Sequence, residues 1–109
     1  MATVILVRHG RTSANATGQL AGRLKGVKLD ETGQQQAQRA GERLAAVPLA
    51  AVVSSPLERC KQTAAAIRGA HPAPPELTLE KGLLECDYGD WQGRPIKELA
   101  KEPLWKVVQ

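Results

Sequence analysis

Short apolar runs that alternate with amphipathic segments are the feature that most limits how this chain can fold. The first run, Thr3–Val7, is continuous and rich in β-branched residues, a pattern typical of a strand buried on both faces. A second run covers residues 50–54, and residues 77–79 alternate apolar and polar side chains as a third candidate strand. Helical patterns separate the three runs, so the order predicts an α/β fold with parallel strands.

Capping signals and periodicity predict the helices between these strands. Thr32–Gln35 fits a capping box, and small apolar residues follow at helical spacing until Pro48 stops the segment. After the second run, Ser55 provides an N-cap, Pro56 the first helical position and Glu58 the third. We therefore expect a helix to begin directly behind each of these two signals.

A chain of 109 residues is expected to fold around one hydrophobic core. The residues expected to form it lie on the three strands: Ile5, Leu6, Val52, Val53, Leu77 and Leu79. We expect a further helix opened by Pro95. A small parallel sheet has open edges, which leaves self-association into a homo-oligomer as one expectation.

Charge and composition limit the classes of ligand. The chain has 15 Lys and Arg against 11 Asp and Glu, a net charge of +4 that favours anionic ligands. The basic residues form no run and the three aromatic residues build no stacking surface, so we expect no nucleic acid partner.

No apolar stretch is long enough for a membrane span or a signal peptide, so we expect no membrane partner and a cytoplasmic protein. Cys60 and Cys86 lack metal-ligand spacing, and we expect reduced thiols and no metal site.

Charged side chains follow each predicted strand at the point where it ends. Arg8 and His9 come directly after the first run, Arg59 lies early in the helix after the second, and Glu85 lies in the loop after the third. Ligands of open parallel sheets bind beyond the carboxyl ends of the strands, where these groups would collect. Paired guanidinium groups suit a phosphoryl dianion, an imidazole is a candidate nucleophile and a carboxyl a candidate proton donor.

Each of these residues also has an ordinary interpretation when it is taken alone. Arg8 and His9 fit a solvated strand end, Arg59 an exposed helix position and Glu85 a solvated loop acid. Asn15 fits either a neutral donor to a phosphoryl oxygen or a turn former. Core packing for Cys60, a surface turn for His71 and a packing anchor for Trp91 are the favoured interpretations.

Three separated motifs resemble those of the histidine phosphatase superfamily, which includes the phosphoglycerate mutases. They are Leu6–Asn15 with its Arg-His-Gly core, Ser54–Ala64 with Arg59, and Leu84–Gly93 with Glu85. The resemblance covers nearly the whole chain. It implies a parallel, three-layer α/β/α phosphoglycerate mutase-like sheet, of which this chain forms the N-terminal portion.

The same resemblance implies a role for each candidate residue. His9 would be phosphorylated, Arg8, Asn15 and Arg59 would bind the phosphoryl group, and Glu85 would be the general acid. No cofactor is implied, and the partner would be a small phosphorylated metabolite.

The sequence departs from the family pattern at two places. Arg11 stands where most members have Glu or Gln, which we expect to add positive charge at the mouth of the pocket. Members also carry a second histidine in a later His-Gly segment, and His71 lies in the wrong context to replace it. We therefore expect residues 1–109 to be a single histidine phosphatase domain that is incomplete at its C-terminus.

Hydrolysis of small phosphomonoesters is the favoured activity within the family. Mutases carry an arginine directly after the catalytic glutamate, and here Cys86 occupies that place. The loop with Trp91 looks more like the phosphatase branch. Phosphoryl transfer of the mutase type and a non-catalytic phosphate-binding module remain the alternatives, the latter because of the missing second histidine.

Overall fold

A parallel pair of strands forms the sheet of the computed structural model, which describes residues 2–108. Strand β1 (Ala51–Ser54) pairs with β2 (Glu76–Leu79), and Val52 lies opposite Leu77. Parallel neighbours cannot be joined by a tight turn and need a crossover, which a helix supplies here. The predicted α/β class and the two later strands are thereby confirmed.

Helix α2 (Glu31–Leu44) begins two residues earlier than its predicted capping box implied. The N-cap is Asp30, whose Oδ1 accepts the backbone N–H of Gly33 at 2.7 Å. The prediction that Thr32 caps this helix was therefore wrong. An aspartate is an equally good N-cap, and its charge suits the positive end of the helix dipole.

Helix α3 (Glu58–Gly69) is the crossover that follows β1, and it begins later than its sequence signal indicated. Leu57 is the N-cap and makes no side-chain capping bond. Ser55 accepts the N–H of Leu57 through Oγ at 3.3 Å, so it shapes the turn before the helix instead of capping it. The prediction of Ser55 as the N-cap was therefore wrong, because the N-cap lies two positions later.

Shorter helices surround this unit, and Pro95 precedes one of them as predicted. The α-helices are α1 (Ser13–Ala16), α4 (Ile96–Leu99) and α5 (Trp105–Val108), and single 3₁₀ turns cover Lys81–Leu83 and Gly89–Trp91. Trp91 packs against Trp105 at a ring distance of 6.1 Å, as its interpretation as a packing anchor predicted. Within residues 2–108 no helix combines the length and the apolar character that crossing a membrane requires.

The first apolar run, Thr3–Val7, forms no strand in the described structure, so that prediction was wrong. Leu6 is 92% exposed, and Ile5, Leu6 and Val7 line an open cleft together with Val52 and Val53. Strand propensity expresses how well a residue fits beside a neighbouring strand on a covered face. Within residues 2–108 the only sheet pairs β1 with β2, so this run is hydrogen-bonded to no strand.

The core lies between the helices and not along the strands, so the predicted core was also wrong. Its buried apolar residues are Ala14, Val27, Leu29, Ala37, Ala64, Ile67 and Leu99. Helices α2 and α3 pack directly against each other. A Cβ at Gly41 would lie 2.7 Å from the carbonyl oxygen of Ala66, so glycine permits this close approach.

Candidate active site

His9 is held by the glycine that follows it and by helix α3. Its Nδ1 lies 2.6 Å from the carbonyl oxygen of Gly10, and the Gly10 N–H donates to Oγ1 of Thr63 at 3.1 Å. Gly10 itself is buried against Gly33, whose carbonyl oxygen leaves no space for a Cβ. A glycine after His9 therefore lets the loop pack onto the start of α2 and fixes the half-buried imidazole.

Arg59 is the second residue of α3 and is only 1% exposed. Its Nη2 donates to the carbonyl oxygen of Gly22 at 2.6 Å and to Oε2 of Glu85 at 2.7 Å. Its Nε donates to Nε2 of His9 at 3.3 Å. A buried guanidinium is tolerated only with such partners, and here they join the helix, the His9 loop and the Glu85 loop.

These contacts assign the tautomer of His9. A carbonyl oxygen only accepts, so the proton lies on Nδ1, which faces the oxygen of Gly10. Nε2 accepts from Arg59 and therefore carries the lone pair. That nitrogen is the atom of the ring that can attack an electrophile.

Glu85 lies in the loop after β2, and its side chain is 51% exposed. Arg59 contacts both this carboxylate and His9, which brings a carboxyl group and an imidazole to one guanidinium group. The backbone oxygen of Glu85 also accepts Nε of Arg23 at 2.7 Å. A half-exposed carboxyl can exchange protons with water and with a bound molecule.

Among the described residues, the two remaining candidates from the sequence make no hydrogen bond to His9, Arg59 or Glu85. Arg8 is exposed and lines the same open cleft as His9, which has a volume of about 580 Å3. Asn15 is exposed, and its Oδ1 accepts the N–H and the Oγ1 of Thr12 at 3.1 and 3.0 Å. Asn15 thus has the turn-forming role that the sequence left open, and phosphate binding by either residue stays a prediction.

The side chain of Arg11 binds the N-terminal end of helix α2, and added charge at the mouth of the pocket stays a prediction. Its Nε pairs with Oδ2 of Asp30 at 2.6 Å, and its Nη2 donates to Oγ1 of Thr32 at 3.1 Å. The carboxylate that caps α2 attracts this guanidinium. The pKa of Asp30 is lowered first by the N–H of Gly33 and further by Arg11.

Two contacts of the site were not predicted from the sequence. The carbonyl oxygen of Gly22 binds Arg59, and the hydroxyl of Thr63 links the Arg59 carbonyl to Gly10. Thr63 follows Arg59 by one helical turn, a spacing that would have placed both on one face. In the sequence, Gly22 is a glycine in a loop, which is only a weak signal of a functional contact. In the structure its φ is 52°, a backbone conformation that favours glycine.

The other histidine and the cysteines lie outside this cluster of contacts. Both ring nitrogens of His71 face backbone carbonyl oxygens, of Ile67 at 3.0 Å and of Val47 at 3.1 Å. Cys60 is half-buried, and burial raises the pKa of its thiol, which fits packing better than reactivity. In the described part of the chain, no group of three or more His, Cys, Asp or Glu side chains is placed to hold a metal ion.

Comparison with known proteins places the chain in a family. Residues 4–108 match the histidine phosphatase superfamily (branch 1). The chain is 40% identical over 101 residues to phosphoglycerate mutase-like protein 4 of Arabidopsis thaliana, covering 92% of this chain and 43% of that protein. It is 36% identical to the uncharacterized phosphatase PhoE of Bacillus subtilis strain 168, covering 93% of this chain and 51% of that protein.

Solved structures give the same result. The mycobacterial glucosyl-3-phosphoglycerate phosphatase superimposes with a TM-score of 0.78 at 30% identity, over 92% of this chain and 49% of that one. YhfR of Bacillus stearothermophilus gives 0.78 at 35% identity, over 86% of this chain and 45% of that one. The chain spans about half the length of the relatives it matches. The fold matches that of about half of each of these structures, and the chain belongs to the histidine phosphatase superfamily.

Proposed function

We propose that this protein hydrolyses small phosphomonoesters through a phosphohistidine intermediate on His9. The observation that carries the proposal is the shared guanidinium of Arg59, which lies 3.3 Å from Nε2 of His9 and 2.7 Å from Glu85. A nucleophile, a cation for the phosphoryl oxygens and a proton donor are the groups that this reaction needs. Relatives named as phosphatases support hydrolysis.

In the first step Nε2 of His9 attacks phosphorus, and the bond from phosphorus to the ester oxygen breaks. Arg59, Arg8 and Asn15 bind the phosphoryl oxygens, and protonated Glu85 gives its proton to the leaving oxygen. In the second step water attacks the phosphohistidine, Glu85 accepts the proton of that water, and phosphate leaves. His9 then regains its free Nε2.

The substrate is proposed to be a small phosphorylated metabolite, bound without a metal or a cofactor. Two guanidinium groups, those of Arg8 and Arg59, neutralise the charge of a phosphoryl dianion in this scheme. We expect that a chelator leaves the rate on an aryl phosphate unchanged. A requirement for magnesium would contradict the mechanism.

Two other functions are tested by the same assays. Phosphoryl transfer of the mutase type is favoured by the name of the Arabidopsis relative, although Cys86 offers no cation beside Glu85 for a second acidic group. A non-catalytic phosphate-binding module is favoured by His71, which faces backbone carbonyls away from the cluster. A mutase would return label to the substrate, and a binding module would hold phosphate without turnover.

The decisive experiment is the detection of phosphohistidine during turnover of an aryl phosphate. We expect an acid-labile, base-stable phosphoryl group that mass spectrometry locates on His9. The chain has two histidines, so His71→Gln is a matched control that should keep the label, whereas His9→Ala should lose it. Label on His71, or full turnover by His9→Ala, would overturn the proposal.

A further inference from the structure

The segment Gly22–Arg23 contacts both the buried cation and the loop of the carboxyl group. The carbonyl oxygen of Gly22 accepts Nη2 of Arg59 at 2.6 Å, the same nitrogen that donates to the Glu85 side chain. The next side chain, Arg23, donates through Nε to the backbone oxygen of Glu85 at 2.7 Å. The segment therefore makes two contacts at this site. Arg23 binds the backbone of Glu85, and Gly22 binds the guanidinium of Arg59, which is the ion-pair partner of Glu85.

This segment is itself held in place from the other side. The N–H of Arg23 donates to Oε1 of Gln92 at 2.7 Å, and a Cβ on Gly22 would lie 2.6 Å from the same oxygen and 2.8 Å from Tyr88. Backbone hydrogen bonds also join Leu20 to the chain at residues 93–94. The position of Arg23 is thus set by packing and by bonds on both sides.

We propose that Arg23 is a positioning residue that keeps the carboxyl group of Glu85 within hydrogen-bond reach of the ester oxygen of the substrate. This inference rests on the proposed function, since it assumes that Glu85 protonates the leaving group. A half-exposed loop carboxyl whose backbone is not anchored samples several positions, and proton transfer requires hydrogen-bond reach to the leaving oxygen. The bond from Nε of Arg23 to the Glu85 carbonyl removes that freedom at the backbone, whereas Arg59 binds the side chain.

The test compares two substrates with different needs for a proton. Arg23→Met keeps roughly the length of the side chain but removes the hydrogen-bond donor. The rate of alkyl phosphate hydrolysis should then fall by about 10- to 100-fold, the effect expected when a catalytic group is slightly misplaced. Hydrolysis of nitrophenyl phosphate should change little, because its phenolate leaves without a proton. The limb of the pH–rate profile that Glu85→Gln removes should also move in Arg23→Met.

A matched control lies two residues further along the same loop. Lys25 is exposed and makes no hydrogen bond to Glu85, so Lys25→Met removes the same charge and should leave both rates unchanged. The affinity for inorganic phosphate should be unchanged in both variants. If Arg23→Met does not fold, Arg23→Lys takes its place with the same expected selectivity and a smaller loss.

The outcomes separate this inference from the function on which it rests. Equal loss on both substrates, or equal behaviour of Arg23→Met and Lys25→Met, would overturn the positioning role of Arg23. If Glu85→Gln itself shows no selectivity between the substrates, then the proposed acid catalysis by Glu85 is wrong, and the positioning role of Arg23 is wrong with it. Selective loss in Glu85→Gln with none in the Arg23 variants would refute the role of Arg23 alone.

Discussion

Nη2 of Arg59 donates a 2.7 Å hydrogen bond to Oε2 of Glu85, and it joins a side chain that is 2% exposed to one that is 51% exposed. The group proposed to bind phosphate and the group proposed to supply the proton therefore meet directly. A phosphoryl dianion is a strong acceptor for the same guanidinium and competes with the carboxylate. In the proposed mechanism, binding of the substrate to Arg59 would therefore release Glu85 for proton transfer.

Replacing the carboxyl group should separate substrates by their leaving groups. Glu85→Gln should slow hydrolysis of an alkyl phosphate by about 10²–10⁴-fold, the usual contribution of general acid catalysis. Nitrophenyl phosphate should be hydrolysed at nearly the original rate, as steady-state kinetics can show. Glu76→Gln, a matched change at an exposed acid on β2, should affect neither rate. An equal loss on both substrates would mean that Glu85 binds or folds.

Two glycine substitutions in helices should have opposite effects on stability. Gly33→Ala adds a Cβ that overlaps the carbonyl oxygen of Arg11, so it should lower the free energy of unfolding and disturb the His9 loop. Gly69→Ala meets no atom within 4 Å and should raise the free energy of unfolding by about 0.4–1 kcal/mol. Urea denaturation of both variants measures the contrast. Similar effects at the two sites would contradict the close packing of Gly33.

The capping aspartate should make stability depend on pH in the acid range. The pKa of Asp30 is lower in the folded protein, so its contribution is complete above its unfolded pKa of about 3.9 and disappears as the pH falls through the folded value. Asp30→Asn keeps a capping oxygen but loses the charge that Arg11 and the helix dipole favour. We expect a lower thermal midpoint than the original near neutral pH and equal midpoints in strong acid. A constant difference at every pH would contradict this assignment.

The apolar cleft should promote self-association of the chain. Leu6 is 92% and Val53 55% exposed, and both line it, so association would remove apolar surface from water. We expect sedimentation velocity to show association that Leu6→Asn weakens. Leu104→Asn, which changes an exposed leucine outside the cleft, should leave the association unchanged. A monomer at every concentration would contradict the prediction.

Local signals in the sequence determined the order of elements and the family. The strands β1 and β2 and the helices between and after them follow from short motifs, because caps, prolines and apolar periodicity act within a few residues. The spacing of three motifs also carried the resemblance to histidine phosphatases. These features depend on neighbours in the chain, which a single sequence contains.

Only the tertiary structure decided the features that depend on distant partners. Arg11 pairs with Asp30, and the carbonyl oxygen of Gly22 accepts a hydrogen bond from Arg59, which lies 37 positions further along the chain. Thr3–Val7 has the composition of a buried strand but no ladder partner among the described residues. Side-chain pairing and strand pairing are set by which groups the folded chain brings together, and propensity cannot supply that information.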